Sequence, residues 1–379
     1  MNIIYIHTHD SGRYIQPYGH AIPTPNLMEM VQGGVLFRQC FSCAPTCSPS
    51  RAALLTGTNP HSAGMLGLNH RGFKLTNPTQ HIASHLRANG YETVLCGEQH
   101  VITRGQEEKL GYTRILTCEN QGENPADIRN IMDLDIANAK AVSRYLGEPP
   151  IKPFFLSFGM VCTHFPLPEP DADIDPGYVQ PPPTLPDNEI TRHDMAGYMT
   201  LARNADRCVG IVLEALEVNH LQEDTLVIFT TDHGVAFPKM KCTLFDEGIG
   251  VSLILRFPQG KYAGQVVDAM VSHLDIYPTL CHLVGIEAPT WLEGHSLVPL
   301  LDGKVDQIRD QVFAEVTYHA AYEPMRCIRT ERYKYIRYFD EYEMVIKPNI
   351  DASSSKRFLI EHGLLTRAHD PKEMLFDLY

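Results

Sequence analysis

The chain has 379 residues, 44% of them hydrophobic and 20% charged, ordinary globular usage with length enough for one large α/β core and a smaller unit. Its formal charge is −13 and its Lys and Arg residues are scattered without a basic run, which excludes a surface built to track a nucleic-acid backbone. An anionic substrate must therefore be held by local positive groups against an unfavourable overall field.

The first residues, MNIIYIHTHD, lack the basic flank and cleavage site of a signal peptide, and no run of eighteen apolar residues occurs. As written, the sequence predicts a cytoplasmic protein with no membrane partner; a signal already removed would make it periplasmic or secreted. Four segments share one grammar, an apolar or β-branched run followed at once by a polar cluster: NIIYIHTHDSG (2–12), YETVLCGEQH (91–100), PFFLSFGMVCTH (153–164) and DTLVIFTTDHG (224–234). Runs of this kind read as strands buried on both faces. Helical patterns separate them, including 204–219, where Val209, Val212, Leu213 and Leu216 fall on one face. The alternation predicts a largely parallel sheet whose carboxyl ends place His7, His9, Asp10, His100, His164, Asp232 and His233 along one rim.

Residues 165–190 carry eight prolines and read as a loop, either ordered over the rim or a plain surface excursion. Beyond about residue 305 the character changes: QVFAEVTY, MRCIRTERYKYIRYF and EMLFDLY predict a small antiparallel sheet, giving two units, 1–305 and 306–379. Ten cysteines lack paired spacing; Cys40, Cys96, Cys162, Cys208, Cys281 and Cys327 sit in apolar or strand-like runs and read as reduced core residues. Cys40, Cys43 and Cys47 contain half of a zinc pattern with no second pair to complete it.

CAPTCSPSRAALLTG (43–57) places Cys47 in a turn at the start of a helix, where unpaired amides suit a sulfate or phosphate, with Arg51 as a planar cationic donor. His9 with Asp10, and Asp232 with His233, are two pairs of metal-ligand types at equivalent strand ends, from which a divalent cation is inferred.

CSPSR followed by AALLTG, the acidic metal pair closing the first strand and VIFTTDHG together resemble the type I sulfatases of the alkaline phosphatase superfamily. More narrowly, CSPSRAALLTGTNPHSAGMLGL, LQEDTLVIFTTDHGVAFP and EVTYHAAYEPMR are similar to the heparan N-sulfatases. The resemblance implies an alkaline-phosphatase-like fold, a large mixed and mostly parallel sheet flanked by helices, with a C-terminal antiparallel subdomain whose recorded end is a truncation. It implies conversion of Cys47 to formylglycine by a maturation enzyme, and a sulfated saccharide, favouring a heparan-type aminosugar, as substrate. One divalent cation would sit on His9, Asp10, Asp232 and His233, with calcium favoured and manganese, magnesium or zinc as alternatives because two imidazoles soften the site. Arg51 would hold the formylglycine hydrate, His164 with Lys241 would protonate the leaving atom, and His100 would take the proton that expels sulfate. His70, Arg71 and His319 are candidates for reading the sugar.

One departure stands out: GEQH puts Glu98 where the family pattern has a sulfate-binding lysine. A carboxylate there repels sulfate unless protonated or turned away. Two other readings stay open at this point, a phosphonate or phosphate ester hydrolase of the same superfamily and a non-catalytic glycan-binding relative.

Overall fold

A computed structural model describes residues 1–117, 128–148, 152–341, 345–366 and 371–379. The four apolar runs form the strands Asn2–Thr8, Glu92–Gly97, Phe154–Gly159 and Thr225–Thr231. They lie side by side within an eight-stranded sheet, in the order Gln265–Val267, Val35–Phe37, Leu253–Arg256, Thr225–Thr231, Asn2–Thr8, Phe154–Gly159, Glu92–Gly97, Arg114–Leu116. The central four are mutually parallel, as expected, and Leu253–Arg256 runs against both of its neighbours, which makes the sheet mixed.

Alternation along each strand feeds two cores. Ile3 and Tyr5 pack with Phe155, Leu226 and Ile228 on one face, while Ile4 and Ile6 pack with Leu156, Phe158, Val227 and Phe229 on the other. The first face is covered by the helices Cys47–Thr56 and Ile276–Val284, the second by Ile128–Gly147 and Glu189–Val218. Each fully buried Ile or Phe contributes about 1.5–3 kcal/mol. The strand interiors therefore carry the stability and leave the rim free to hold groups that are costly to bury.

The helix expected over 204–219 is longer, Glu189–Val218. Asn188 starts it with a capping box, accepting from the Thr191 amide while Thr191 Oγ1 accepts from its own. The added turns pack Met195 and Tyr198 beneath the proline-rich loop, against Phe165, Leu185, Val235 and Phe237. That loop holds only a short turn, Pro176–Tyr178, in agreement with its proline content.

The C-terminal strands Gln311–Tyr318, Tyr322–Thr330, Tyr333–Tyr338 and Glu373–Asp377 form the expected antiparallel sheet. Its inner residues Val312, Ala314, Met325, Cys327 and Ile336 share a core with Phe41, Leu244 and Ile249, so it is welded to the larger body. The nine described cysteines are buried; Cys118 lies outside the described residues. Among the described residues no helix is long and apolar enough to cross a membrane.

Candidate active site

Because the central strands are parallel, their carboxyl ends open on one edge, and the next residues of each chain segment meet there. Cys47 is the first residue of the helix Cys47–Thr56, not the start of a preceding turn; Thr46 is the N-cap, and the helix ends at Gly57, whose φ of +70° suits glycine. All ten residues of this helix are buried, and Cys47 is only 2% exposed. Burial pushes its thiol well above the usual range, with Asp10 and Asp232 adding to the effect and Lys241 and Arg51 opposing it.

Asp10 and Asp232 are linked directly: the Asp10 amide donates to Asp232 Oδ1 at 2.8 Å. His9 Nδ1 donates to Asp10 Oδ1 at 2.8 Å and lies 3.3 Å from Asp232 Oδ2. His233 Nδ1 donates to the Gly234 carbonyl at 3.0 Å, which leaves Nε2 with a lone pair 3.4 Å from Cys47 Sγ and 3.2 Å from Asp10 Oδ1. Burial alone would raise both carboxyls. Lys241, His9, His233 and His164 more than reverse this for Asp10, and His233, Arg51 and His9 do so for Asp232, so both stay well below the usual carboxylate range. His9, Asp10, Cys47 and Asp232 each offer a ligand atom within 4.8 Å of the others. Two ionised carboxylates and imidazoles already oriented through their second nitrogen suit a divalent cation.

The planar fork of Arg51 faces Asp232: Nε and Nη2 lie 3.1 and 3.0 Å from Oδ2, and Nη1 donates to His7 Nδ1 at 2.7 Å. His7 was legible as a rim residue without a role. Its place follows from register, since it pairs with Gly159, where a Cβ would fall 2.6 Å from the His7 ring and 1.9 Å from the Glu98 carbonyl. Lys241 is buried between Asp10 Oδ2 at 2.8 Å and Asp351 Oδ2 at 3.0 Å. Burial alone would lower its ammonium; the two carboxylates hold it well above the usual lysine value. Asp351 carries no sequence signal, because it approaches from the C-terminal segment and has no motif around it.

His164 lies beside this cluster, its ring 4.6 Å from that of His9 and its Nε2 3.9 Å from Asp10 Oδ2. Its Nδ1 donates to the Phe165 carbonyl at 2.5 Å, and its side chain is 32% exposed against 4% for His9. The His100 ring is 5.6 Å from that of His9, with His70 stacked outside it at 5.8 Å. Burial, then the field of His9, lowers His100 to about 3. His319 is also buried near Lys241, and burial followed by that charge lowers it to about 3. Arg71 is exposed on the turn Asn69–Arg71 and makes no hydrogen bond or ion pair to the cluster among the described residues.

Of the two ways left open for Glu98, protonated or turned away, the structure favours the second. Burial would raise its carboxyl, but His100, Arg51 and His9 outweigh that and lower it. It is turned toward its own chain, Oε1 accepting from the Gln99 amide at 3.0 Å.

The chain matches the sulfatase family over residues 1–286 and, over 234–350, the family described as N-sulphoglucosamine sulphohydrolase, C-terminal. An ulvan-active sulfatase of Formosa agariphila is 28% identical over 392 residues, covering 100% of this chain and 73% of that protein. The human N-sulphoglucosamine sulphohydrolase is 30% identical over 365 residues, covering 86% of this chain and 70% of that protein. A protein solved in complex with its substrate D-glucosamine-2-N,6-O-disulfate superposes with a TM-score of 0.70 over 98% of this chain and 99% of that one, a likeness of fold at 18% identity. With the rim geometry and the family match in agreement, the chain belongs to the sulfatase family and is a hydrolase of sulfate esters or sulfamates.

Proposed function

We propose that this sulfatase removes N- or O-sulfate from a sulfated saccharide, with a heparan-type aminosugar favoured, using a formylglycine made from Cys47 and one divalent cation. The observation that carries the reading is the placement of Cys47 at a helix N-terminus, 3.4 Å from His233 and beside the Asp10–Asp232 pair. The names of the human relative and of the C-terminal family match support the aminosugar.

Formylglycine at position 47 would supply an oxygen nucleophile, and a cation on Asp10, Asp232, His9 and His233 would offset charge on the sulfuryl oxygens. The remaining work falls to side chains. Lys241 fixes Asp10, and Arg51 fixes Asp232, so that neither carboxylate turns away from the thiol position. His164 is the most exposed of the rim histidines next to Asp10, with its Nε2 3.9 Å from Asp10 Oδ2, and is suited to giving a proton to the leaving nitrogen or oxygen. His100 is held neutral by burial and is suited to taking a proton at the position 47 oxygen. His70 and His319 flank this space and are the candidates for contact with the sugar; Arg71 would contribute only from the exposed edge.

The test is sulfate release from a panel of N-, 2-O- and 6-O-sulfated glucosamines by protein whose formylglycine has been verified by intact mass. Calcium, manganese, magnesium and zinc are added back separately after chelation. Release from a glucosamine sulfate supports the reading; dominant turnover of an aryl phosphonate, or no release by converted and metal-loaded protein, defeats it.

A further inference from the structure

The cluster offers a second grouping of donors, drawn from residues to which the hydrolase reading gives other tasks. His9, Cys47 and His100 each present one ligand atom within 4.8 Å of the other two, a set of two imidazoles and one sulfur in which no carboxylate takes part. Nδ1 of His100 is buried and has no hydrogen-bond partner among the described residues, the kind of orphan that a bound ion satisfies. The loop around it is fixed: Gln99 Oε1 accepts from the Val101 and Ile102 amides at 2.8 and 3.0 Å, and Gln99 Nε2 donates to the Ile102 carbonyl at 2.7 Å. His100 itself sits at φ +57°, a left-handed conformation that aims its ring in a way a relaxed backbone would not. His70, stacked at 5.8 Å, closes its outer side.

We propose that the unmodified chain, with Cys47 still a thiol, binds a thiophilic divalent cation such as Zn2+ through Cys47 Sγ, His9 and His100. Tetrahedral bonds of about 2.0–2.3 Å put ligand atoms about 3.5 Å apart. The trio's atoms lie within 4.8 Å of one another, so closing to that spacing takes a contraction of at most about 1.3 Å per pair. His233 Nε2 lies 3.4 Å from Sγ but falls outside the trio's 4.8 Å grouping, so the fourth position is left to solvent. On binding, the metal–sulfur bond replaces the S–H bond and the proton leaves to solvent; nothing is oxidised or reduced. Sulfur and imidazole donors select Zn2+ or Co2+ over Ca2+ and Mg2+, which prefer oxygen. The site shares His9 with the carboxylate cluster, so the two ions exclude one another. It also disappears when the sulfur is replaced by an aldehyde oxygen. The consequence, that a soft ion shields Cys47 from conversion, rests on the proposed function; the site itself does not.

The experiment is a Co2+ titration of the metal-free, unconverted protein followed by absorption spectroscopy. One equivalent is expected to raise a near-ultraviolet thiolate-to-cobalt charge-transfer band together with tetrahedral d–d bands; Zn2+ abolishes both, and a large excess of Ca2+ or Mg2+ does not. Cys47→Ser and Cys47→Ala should each lose the charge-transfer band, and His100→Ala and His100→Gln should each weaken Co2+ binding by about tenfold or more. Metal-free melting curves of all four variants accompany the titration, so that a variant that fails to fold is replaced by its partner at the same position. The proposal is overturned if Co2+ binds without the charge-transfer band, if the band survives loss of Cys47, or if folded His100 variants bind Co2+ as the parent does. Sulfate release is read separately on converted protein, so either result can fail while the other stands.

Discussion

Arg51 Nη1 donates to His7 Nδ1 across 2.7 Å, with both side chains buried. A guanidinium cannot accept, so the imidazole must be neutral and carry its proton on Nε2. Burial, and then the Arg51 charge itself, keep His7 well below the usual histidine range, consistent with that state. His7 therefore sets the roll of the Arg51 fork against Asp232. A hydrogen bond to a charged group is worth about 1.5–3 kcal/mol. His7→Phe is expected to cost roughly tenfold to a hundredfold in kcat/KM, mostly in kcat, while His7→Asn, which keeps an acceptor near Nδ1, recovers most of it. Equal loss in both variants, in step with lost stability, would show that the ring only fills space.

Lys241 bridges Asp10 and Asp351. Removing one partner of a buried ion pair costs about 3–5 kcal/mol. Lys241→Met should lower the denaturation midpoint accordingly, and Lys241→Met with Asp351→Asn should restore part of the loss, since one stranded charge is then gone. Asp10 has a depressed carboxyl, so its contribution is present above the unfolded value near 3.9 and is lost as pH falls through the folded value. Without Lys241 that loss begins at higher pH. Urea midpoints measured from pH 7 down to about pH 2 check both statements, and an additive double mutant would rule out the shared clamp.

Glu98 is ionised and lies in the field of the Arg51 guanidinium, which a bound sulfate would also use, beside the His9 and His100 rings. At an effective dielectric near 20, one charge at several ångströms is worth about 1–2 kcal/mol. Glu98→Gln should tighten inhibition by inorganic sulfate roughly tenfold. An unchanged inhibition constant would mean that the carboxylate is screened from the anion by its own backbone contact.

His81 caps the helix Ile82–Ala88 by accepting from the Ala83 amide through Nδ1, and burial lowers it to about 3; burial does the same to His273. The unfolded chain protonates these rings near 6.5 and the folded chain does not. Their share of stability is therefore full above about 6.5 and is lost as pH falls toward 3, by about 1.4 kcal/mol per unit for each ring. His81→Asn keeps a capping acceptor and removes one proton, so its stability should fall less steeply between pH 6.5 and 5. Parallel slopes for parent and variant would refute the assignment.

The central sheet was legible because its strands are apolar on both faces, and their polar ends mark where each strand leaves the core. The same grammar placed His9, Asp10, His100, His164, Asp232 and His233 on one rim. Short strands such as Val35–Phe37 and Gln265–Val267 were not legible, since three residues make no period. The first half of the helix Glu189–Val218 escaped because it buries Asp194, Tyr198 and Thr200 against a loop rather than an apolar stripe against the sheet. Arg51, Lys241 and Glu98 were found by position, but their partners were not. Ion pairs spanning 181 or more residues, such as Arg51 with Asp232 and Lys241 with Asp10, leave no local trace.

Asp351 reaches Lys241 from a stretch synthesised more than a hundred residues later. A nascent chain emerging from the ribosome can thus assemble every strand of the large sheet while Lys241 still answers to Asp10 alone. The second carboxylate on Lys241 arrives only when the C-terminal stretch docks, and polypeptides interrupted before that point should hold the ammonium, and Asp10 with it, less firmly than finished ones.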